Sequence, residues 1–287
     1  MKILIAVDGS KYSTWAVHWI ARMPFAGVPR VSALHVVDLA SLRAPFMVQP
    51  VLAGNEPFIR EETQRMEARA KKVKAETKEI LASLELEGGV EVEQGPVAAT
   101  LLRHLSGRGG LVVMGHRGLT GLDRFMLGSV STQVTLHAPC SVLIVKQPPR
   151  PIRRVLLATD GSKASDQALQ FLLREIRPRE IRPSTSTVDI EVTVMHVMPF
   201  LKYPEMKEAG KALLGGYAEQ LERAGYRVKQ VLRLGRPADE ITAAAKKQKI
   251  DLIVAGAKGL GAVARFFLGS VSTKLMQGST CSVLVVR

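Results

Sequence analysis

Cysteine is scarce. Among 287 residues there are 2, Cys140 and Cys281. That is too few for a disulfide framework, and their matching places in the two halves read as small core positions in a reducing compartment. Aromatic residues make up 5%, and no basic block is interleaved with them, which argues against the stacking platforms that single-stranded nucleic acid needs. No apolar run approaches the ~18 residues that span a bilayer, and the apolar opening at 1–7 is cut by Asp8 before a signal-peptide core can form. A cytoplasmic chain without membrane insertion is therefore expected. Also missing are G-x-x-x-x-G-K-[ST], His-Glu-x-x-His and paired Cys-x-x-Cys spacings, so P-loop hydrolysis and structural zinc have no support.

Basic residues are abundant. Lys and Arg number 40 against 26 Asp and Glu, a formal charge of +14, which draws anionic partners over a distance without choosing among them. The cations are spread along 60–78 and 207–227 at helical spacing, the pattern of a solvated helix face. Nucleic acid is accordingly not the expected partner. Hydrophobic content of 46% and a length beyond one average domain predict two globular units.

An internal repeat decides the organisation. Arg124-Phe125-Met126-Leu127-Gly128-Ser129-Val130-Ser131-Thr132 recurs as Arg265-Phe266-Phe267-Leu268-Gly269-Ser270-Val271-Ser272-Thr273, differing only at Met126 and Phe267. The same offset carries Cys140-Ser141-Val142-Leu143 onto Cys281-Ser282-Val283-Leu284, and the opening Ala6-Val7-Asp8-Gly9-Ser10-Lys11 returns as Ala158-Thr159-Asp160-Gly161-Ser162-Lys163. Between the copies, Gln147-Pro148-Pro149-Arg150-Pro151 disallows helix and removes ladder donors, as a short stiff linker would. Domains are expected at 1–148 and 152–287.

In each half, short apolar runs alternate with helical periods. Strands are predicted at 3–7, 31–36, 90–93, 111–114 and 142–145, and again at 155–158, 190–196, 227–232, 252–255 and 283–286. Ile3-Leu4-Ile5-Ala6-Val7 shows no polar alternation, which is how strands covered on both faces of a parallel sheet read. With helices predicted at 12–23, 56–86 and 129–138, the fold class is α/β: two tandem doubly wound domains with helices on both faces of each sheet. The first half carries a proline-marked stretch at 39–57, a lid or an insertion, where the second has only 199–204.

The chemistry sits after the fourth strand. Gly115-His116-Arg117-Gly118, nine residues, then Gly128-Ser129 is matched by Gly256-Ala257-Lys258-Gly259, nine residues, then Gly269-Ser270. Glycines there are expected to take positive φ and expose backbone N–H groups in an anion nest. The helix opening at Gly128-Ser129-Val130-Ser131 would add first-turn amides and its positive dipole end, with Ser129 and Ser131 as hydroxyl donors. Arg117 and Lys258 either neutralise a polyphosphate or point to solvent. The bland alternative is that the glycines only make turns and the serine only caps a helix.

G-x-x-G, nine residues, then G-S is the signature of ATP-binding universal stress proteins, and the sequence resembles that family over essentially its whole length, twice. The resemblance implies five-stranded parallel sheets of order 3-2-1-4-5, with ATP across the ends of strands 1 and 4. It implies that Asp8 and Asp160 contact adenosine or hold Mg²⁺, and that Val36 and Val197, just after the second strand, meet the adenine edge. Gly115, Gly118, Gly128 and Ser129, with Gly256, Gly259, Gly269 and Ser270 in the second copy, would hold ribose and phosphates. Beside them, Val7, Met114, Val130 and Ser131, and Thr159, Ala255, Val271 and Ser272, complete the expected sites, one per domain. Similar sequences commonly place proline after the last-strand cysteine, where Ser141 and Ser282 stand here.

His35 and His196 end the second strand near the expected adenine pocket, as ligand contacts or as buried histidines bonded to backbone. His116 could activate water, but Ala257 replaces it in the other copy, so at most slow hydrolysis is expected. The reading is thus an ATP-binding stress-response regulator. One alternative is an adenine-nucleotide α-hydrolase-like enzyme, for which Asp8-Gly9-Ser10-Lys11-Tyr12-Ser13 is only distantly suited. The other is a non-catalytic interaction module. Family dimers pair last strands edge to edge, so 142–145 and 283–286 are expected to join either two chains or the two halves of one.

Overall fold

The computed structural model describes residues 1–40, 56–105, 109–118, 127–176, 189–198, 204–258 and 268–287. Most of the stretches at 39–57 and 199–204 lies outside them. In the first half run β1 (Lys2–Ala6), α1 (Lys11–Arg22), β2 (Arg30–Val37), α2 (Glu56–Ser83), β3 (Gly88–Gln94), α3 (Val97–His104), β4 (Gly110–Gly115), α4 (Ser129–His137) and β5 (Ser141–Val145). In the second run β6 (Arg154–Thr159), α5 (Lys163–Glu175), β7 (Glu191–Met198), α6 (Pro204–Arg223), β8 (Arg227–Leu234), α7 (Pro237–Lys247), β9 (Leu252–Gly256), α8 (Ser270–Gly278) and β10 (Ser282–Val286).

All ten strands join one sheet, in the order β3-β2-β1-β4-β5-β10-β9-β6-β7-β8. Each half is therefore a parallel 3-2-1-4-5 sheet, as predicted. Successive side chains of β1 enter opposite layers: Ile3 and Ile5 pack with Trp19 and Ile20 of α1, and Leu4 packs with Leu101 of α3. Burying such a side chain stabilises by roughly 1.5–3 kcal/mol. Two-sided burial is the reason these strands are apolar without alternation.

The halves meet at β5 and β10, which pair antiparallel with Leu143 opposite Leu284. Those are equivalent positions of the two copies, so a pseudo-twofold axis passes between them. Because β4 and β9 flank them, both edges of each last strand are taken within the chain. The serines after the cysteines act here. Ser282 Oγ accepts the Lys146 amide at 3.2 Å, and Ser141 Oγ accepts the Arg287 amide at 3.3 Å, bonds across the seam that proline could not make.

The side chains of those two cations cross the seam as well. Lys146 Nζ donates to the carbonyls of Ser279 (2.7 Å) and Gln277 (3.3 Å), at the end of α8. Arg287 donates to those of Thr135 (2.6 Å) and Leu136 (3.2 Å), at the end of α4. A cation at a helix carboxyl end satisfies open carbonyls and complements the dipole. Burial, with Arg117 adding to it, pushes the Lys146 ammonium down to about 8.

The linker is tied to both halves. The Gln147 carbonyl accepts from Trp19 Nε1 at 3.0 Å and the Pro149 carbonyl from Arg22 at 2.6 Å. Arg150 pairs with the buried Asp251 at 2.7 Å, whose Oδ2 also accepts the amides of Arg153 and Arg154 at 2.9 and 2.8 Å. Among the described residues no helix is long and apolar enough to cross a membrane.

Candidate functional site

Strands β1 and β4 are neighbours at the centre of the first sheet, and β6 and β9 at the centre of the second. The chain leaves them toward different helices, which opens a crevice at their carboxyl ends. On one wall, Asp8 turns back on itself: its Oδ1 accepts the Ser10 amide at 2.9 Å, as Asp160 Oδ1 accepts that of Ser162 at 3.0 Å. Ser10 and Ser162 then cap α1 and α5, accepting from Ser13 N and Ser165 N at 3.2 and 3.3 Å.

The opposite wall is the glycine loop. Its amides hang on the last strand of the same domain, His116 N on the Val145 carbonyl at 3.0 Å and Ala257 N on that of Val286 at 2.8 Å. The loop carbonyls then take the Gly128 and Gly269 amides at 2.8 and 2.7 Å, setting the start of α4 and α8. Both helices begin on glycine with φ −61° and −65°, and neither has a side-chain cap. Their first-turn amides are therefore available to an anion.

The expectation of positive φ in this loop is corrected. Positive φ occurs in the first-strand turns, at Gly9 and Gly161, and not at Gly115, Gly118, Gly128, Gly256 or Gly269. Glycine is needed there for closeness. A Cβ on Gly115 would lie 2.6 Å from Tyr12 Cβ, one on Gly256 2.4 Å from the Ala164 carbonyl, and one on Gly118 2.6 Å from Asp8 Oδ2. The last contact brings the free edge of the Asp8 carboxylate against the glycine loop.

Two further roles differ from expectation. The hydroxyls of Ser131 and Ser272 donate to the Gly115 and Gly256 carbonyls at 2.9 and 2.7 Å, so they tie helix to strand end and are not donors for an anion. Val36 and Val197 lie inside β2 and β7, because pairing with β3 and β8 continues to Val37 and Met198.

A cavity of about 950 Å³ opens in the first domain, and one of about 460 Å³ in the second. Both fall within the ~300–1,000 Å³ of ligand sites, and the described side chains leave both open. The first is lined by every residue expected of it: Val7, Asp8, Val36, Met114, Gly115, Arg117, Gly118, Gly128, Ser129, Val130 and Ser131. Thr159, Asp160, Val197, Ala255, Gly256, Lys258, Gly269, Ser270, Val271 and Ser272 line the second; Gly259 lies outside the described residues. Arg117 is buried, 8% exposed, which removes the solvent-pointing alternative for that side chain.

The family model for the universal stress protein family matches this chain twice, over residues 1–146 and 151–287. The chain belongs to the universal stress protein family. A universal stress protein of Mycolicibacterium smegmatis is 30% identical over 295 residues, covering 99% of this chain and 96% of the relative. One of Mycobacterium tuberculosis is 26% identical over 294 residues, with the same coverage. In fold, the crystal structure of a universal stress protein from Archaeoglobus fulgidus matches 100% of this chain and 96% of its own length, with TM-score 0.69 at 22% identity.

His35 and His196 are anchored to backbone through one ring nitrogen. His35 Nδ1 lies 2.7 Å from the Val7 carbonyl and His196 Nδ1 2.8 Å from that of Thr159; a carbonyl only accepts, so Nδ1 carries the proton. His116 packs edge-on against Tyr12 at 4.4 Å, and burial, together with nearby Lys146, pushes its imidazole down to about 4. Sequence reasoning missed Asp38, Met66, Arg69, Val97 and Leu101 of the first cavity and Pro237 and Ile241 of the second. They come from helices and a strand end distant from the glycine motif, and the apolar ones looked like ordinary core.

The second domain also braces its first turn from below. Thr159 Oγ1 donates to Ser165 Oγ at 3.2 Å and accepts the Gly161 amide at 3.2 Å. Tyr217 of α6 sits 3.1 Å from Ser165 and donates to Asp166; burial and that carboxylate push the phenol up to about 12.

Proposed function

We propose that this protein is a nucleotide-dependent regulator in which each domain binds one adenine nucleotide, ATP accompanied by Mg²⁺. The observation that carries this reading is the uncapped start of α4 and α8, where first-turn amides face a cavity bearing a carboxylate on its far wall. Backbone donors at a helix start suit phosphate oxygens. The Asp8 and Asp160 carboxylates suit Mg²⁺, which typically takes one or two protein carboxylates and completes its shell with phosphates and water. Val36 and Val197 supply apolar contact for the adenine edge, and Arg117 and Lys258 offset phosphate charge.

Binding then tightens the glycine loops and alters the surface offered to a protein partner during stress, in the cytoplasm. Hydrolysis is at most slow. Efficient phosphoryl transfer needs a positioned nucleophile and charge stabilisation; His116, held neutral with its pKa near 4, is a weak base, and Ala257 offers none. A homodimer through the last strands would require opening β5 from β10, so the family's edge pairing is met inside the chain and any further association uses another surface.

Isothermal titration of the full chain with ATP and Mg²⁺ tests this reading. Two equivalents bound per chain support it. Absence of binding, or AMP and pyrophosphate accumulating rapidly with ATP, overturns it.

A further inference from the structure

The two cavities differ at the wall supplied by the long helices. In the first domain Arg69 reaches from α2 across the cavity mouth, its Nη2 donating to the Asp8 carbonyl at 3.2 Å. The side chain lines the same cavity as Arg117, Gly118 and Ser129. The helix is pressed onto this turn, since a Cβ on Gly9 would lie 2.7 Å from Val73 and 3.8 Å from the Arg69 guanidinium. Asp8 Oδ2 in turn abuts Gly118, so Arg69 stands across the turn from the glycine loop.

In the second domain the same turn is met by Leu213 of α6, 3.5 Å from a Cβ on Gly161. Four residues before each contact stand Arg69 and Ala209. Among the described residues lining the second cavity, Lys258 is the one cation, and the volume is about 460 Å³ against about 950 Å³. Arg69 is exposed, and its bond to a neutral carbonyl is of the kind readily exchanged for an ionised oxygen, to which a guanidinium bonds more strongly and in bidentate fashion.

We infer that Arg69 is a phosphate-binding residue of the first site alone, and that it makes this site select adenine nucleotides with a di- or triphosphate chain over the monophosphate. The second site, with alanine at that place, discriminates less. The inference rests on the adenine-nucleotide reading above. Losing a charge-assisted hydrogen bond to phosphate weakens binding by about 10- to 100-fold.

The test is titration of the full chain with ATP and, separately, AMP, for the wild type, Arg69→Ala and Ala209→Arg. Thermal denaturation of each variant checks folding, which an exposed side chain should leave intact. Arg69→Ala is expected to weaken one of two ATP-binding phases by about 10- to 100-fold and to leave AMP binding within about twofold; Ala209→Arg should raise ATP over AMP preference at the other. Unchanged ATP binding by Arg69→Ala, or equal weakening of ATP and AMP, overturns the inference and leaves the nucleotide reading standing. If the wild type binds neither nucleotide, both fall.

Discussion

The two halves of the chain are alike where they touch each other and differ at single residues around their cavities. At the seam Leu143 meets Leu284, Ser141 and Ser282 exchange equivalent bonds, and Lys146 and Arg287 each grip the end of the other half's last helix. At the mouths, Arg69 corresponds to Ala209, His116 to Ala257 and Val7 to Thr159. A pseudo-twofold contact makes each residue fit its own counterpart, so a change on one side disturbs both. A cavity lined by one domain carries no such constraint. The glycine loops and helix starts are shared by both cavities, and the differences fall on the residues around them.

The largest effects are expected at the seam. Leu143→Ala and Leu284→Ala, both fully buried, should each destabilise by ~2–5 kcal/mol, read from urea unfolding, and by similar amounts. A large cost at one and none at the other would contradict the equivalence. Next come the glycines of the crevice. Gly256→Ala, facing backbone atoms of Ala164 at 2.4 Å, should cost more than Gly115→Ala, whose nearest neighbour is the Tyr12 Cβ at 2.6 Å; both fall at ~1–3 kcal/mol or above. Ser141→Ala and Ser282→Ala, each leaving an amide at the seam without its acceptor, should lose ~1–3 kcal/mol and again match one another in thermal denaturation.

The smallest effect concerns acid. His116 is neutral in the fold, with its pKa pushed down to about 4 from 6.5, so the unfolded chain takes up a proton there first as pH falls. Its contribution to stability is complete above pH 6.5 and is lost progressively toward pH 4. His116→Ala should flatten that limb of the stability–pH curve. An unchanged slope would mean that the imidazole is already charged in the fold.

Much of this was legible in the residues. Unbroken apolar runs such as 3–7 and 142–145 marked strands covered on both sides, and the duplicated glycine motif located both crevices. What escaped depends on contacts between distant segments. The need for glycine at 115 and 256 arises from Tyr12 and Ala164 on helices more than ninety residues earlier in sequence, which local turn chemistry does not reveal. Ser141 and Ser282 looked like a neutral departure from a common proline until the opposite strand supplied the amides they accept. Arg69 sits among the cations of 60–78, where helical spacing reads as a solvated face; only the packing of Val73 on Gly9 brings that face to the cavity.

In the proposed function, the first-turn amides of α4 and α8 receive the phosphates of an adenine nucleotide. Amide nitrogen–proton correlation spectra of the full chain, recorded during titration with ATP and Mg²⁺, test it directly. The largest shifts are expected on residues 129–131 and 270–272 and on the glycine loops at 115–118 and 256–258. Shifts concentrated elsewhere, with those amides unmoved at saturation, would contradict it.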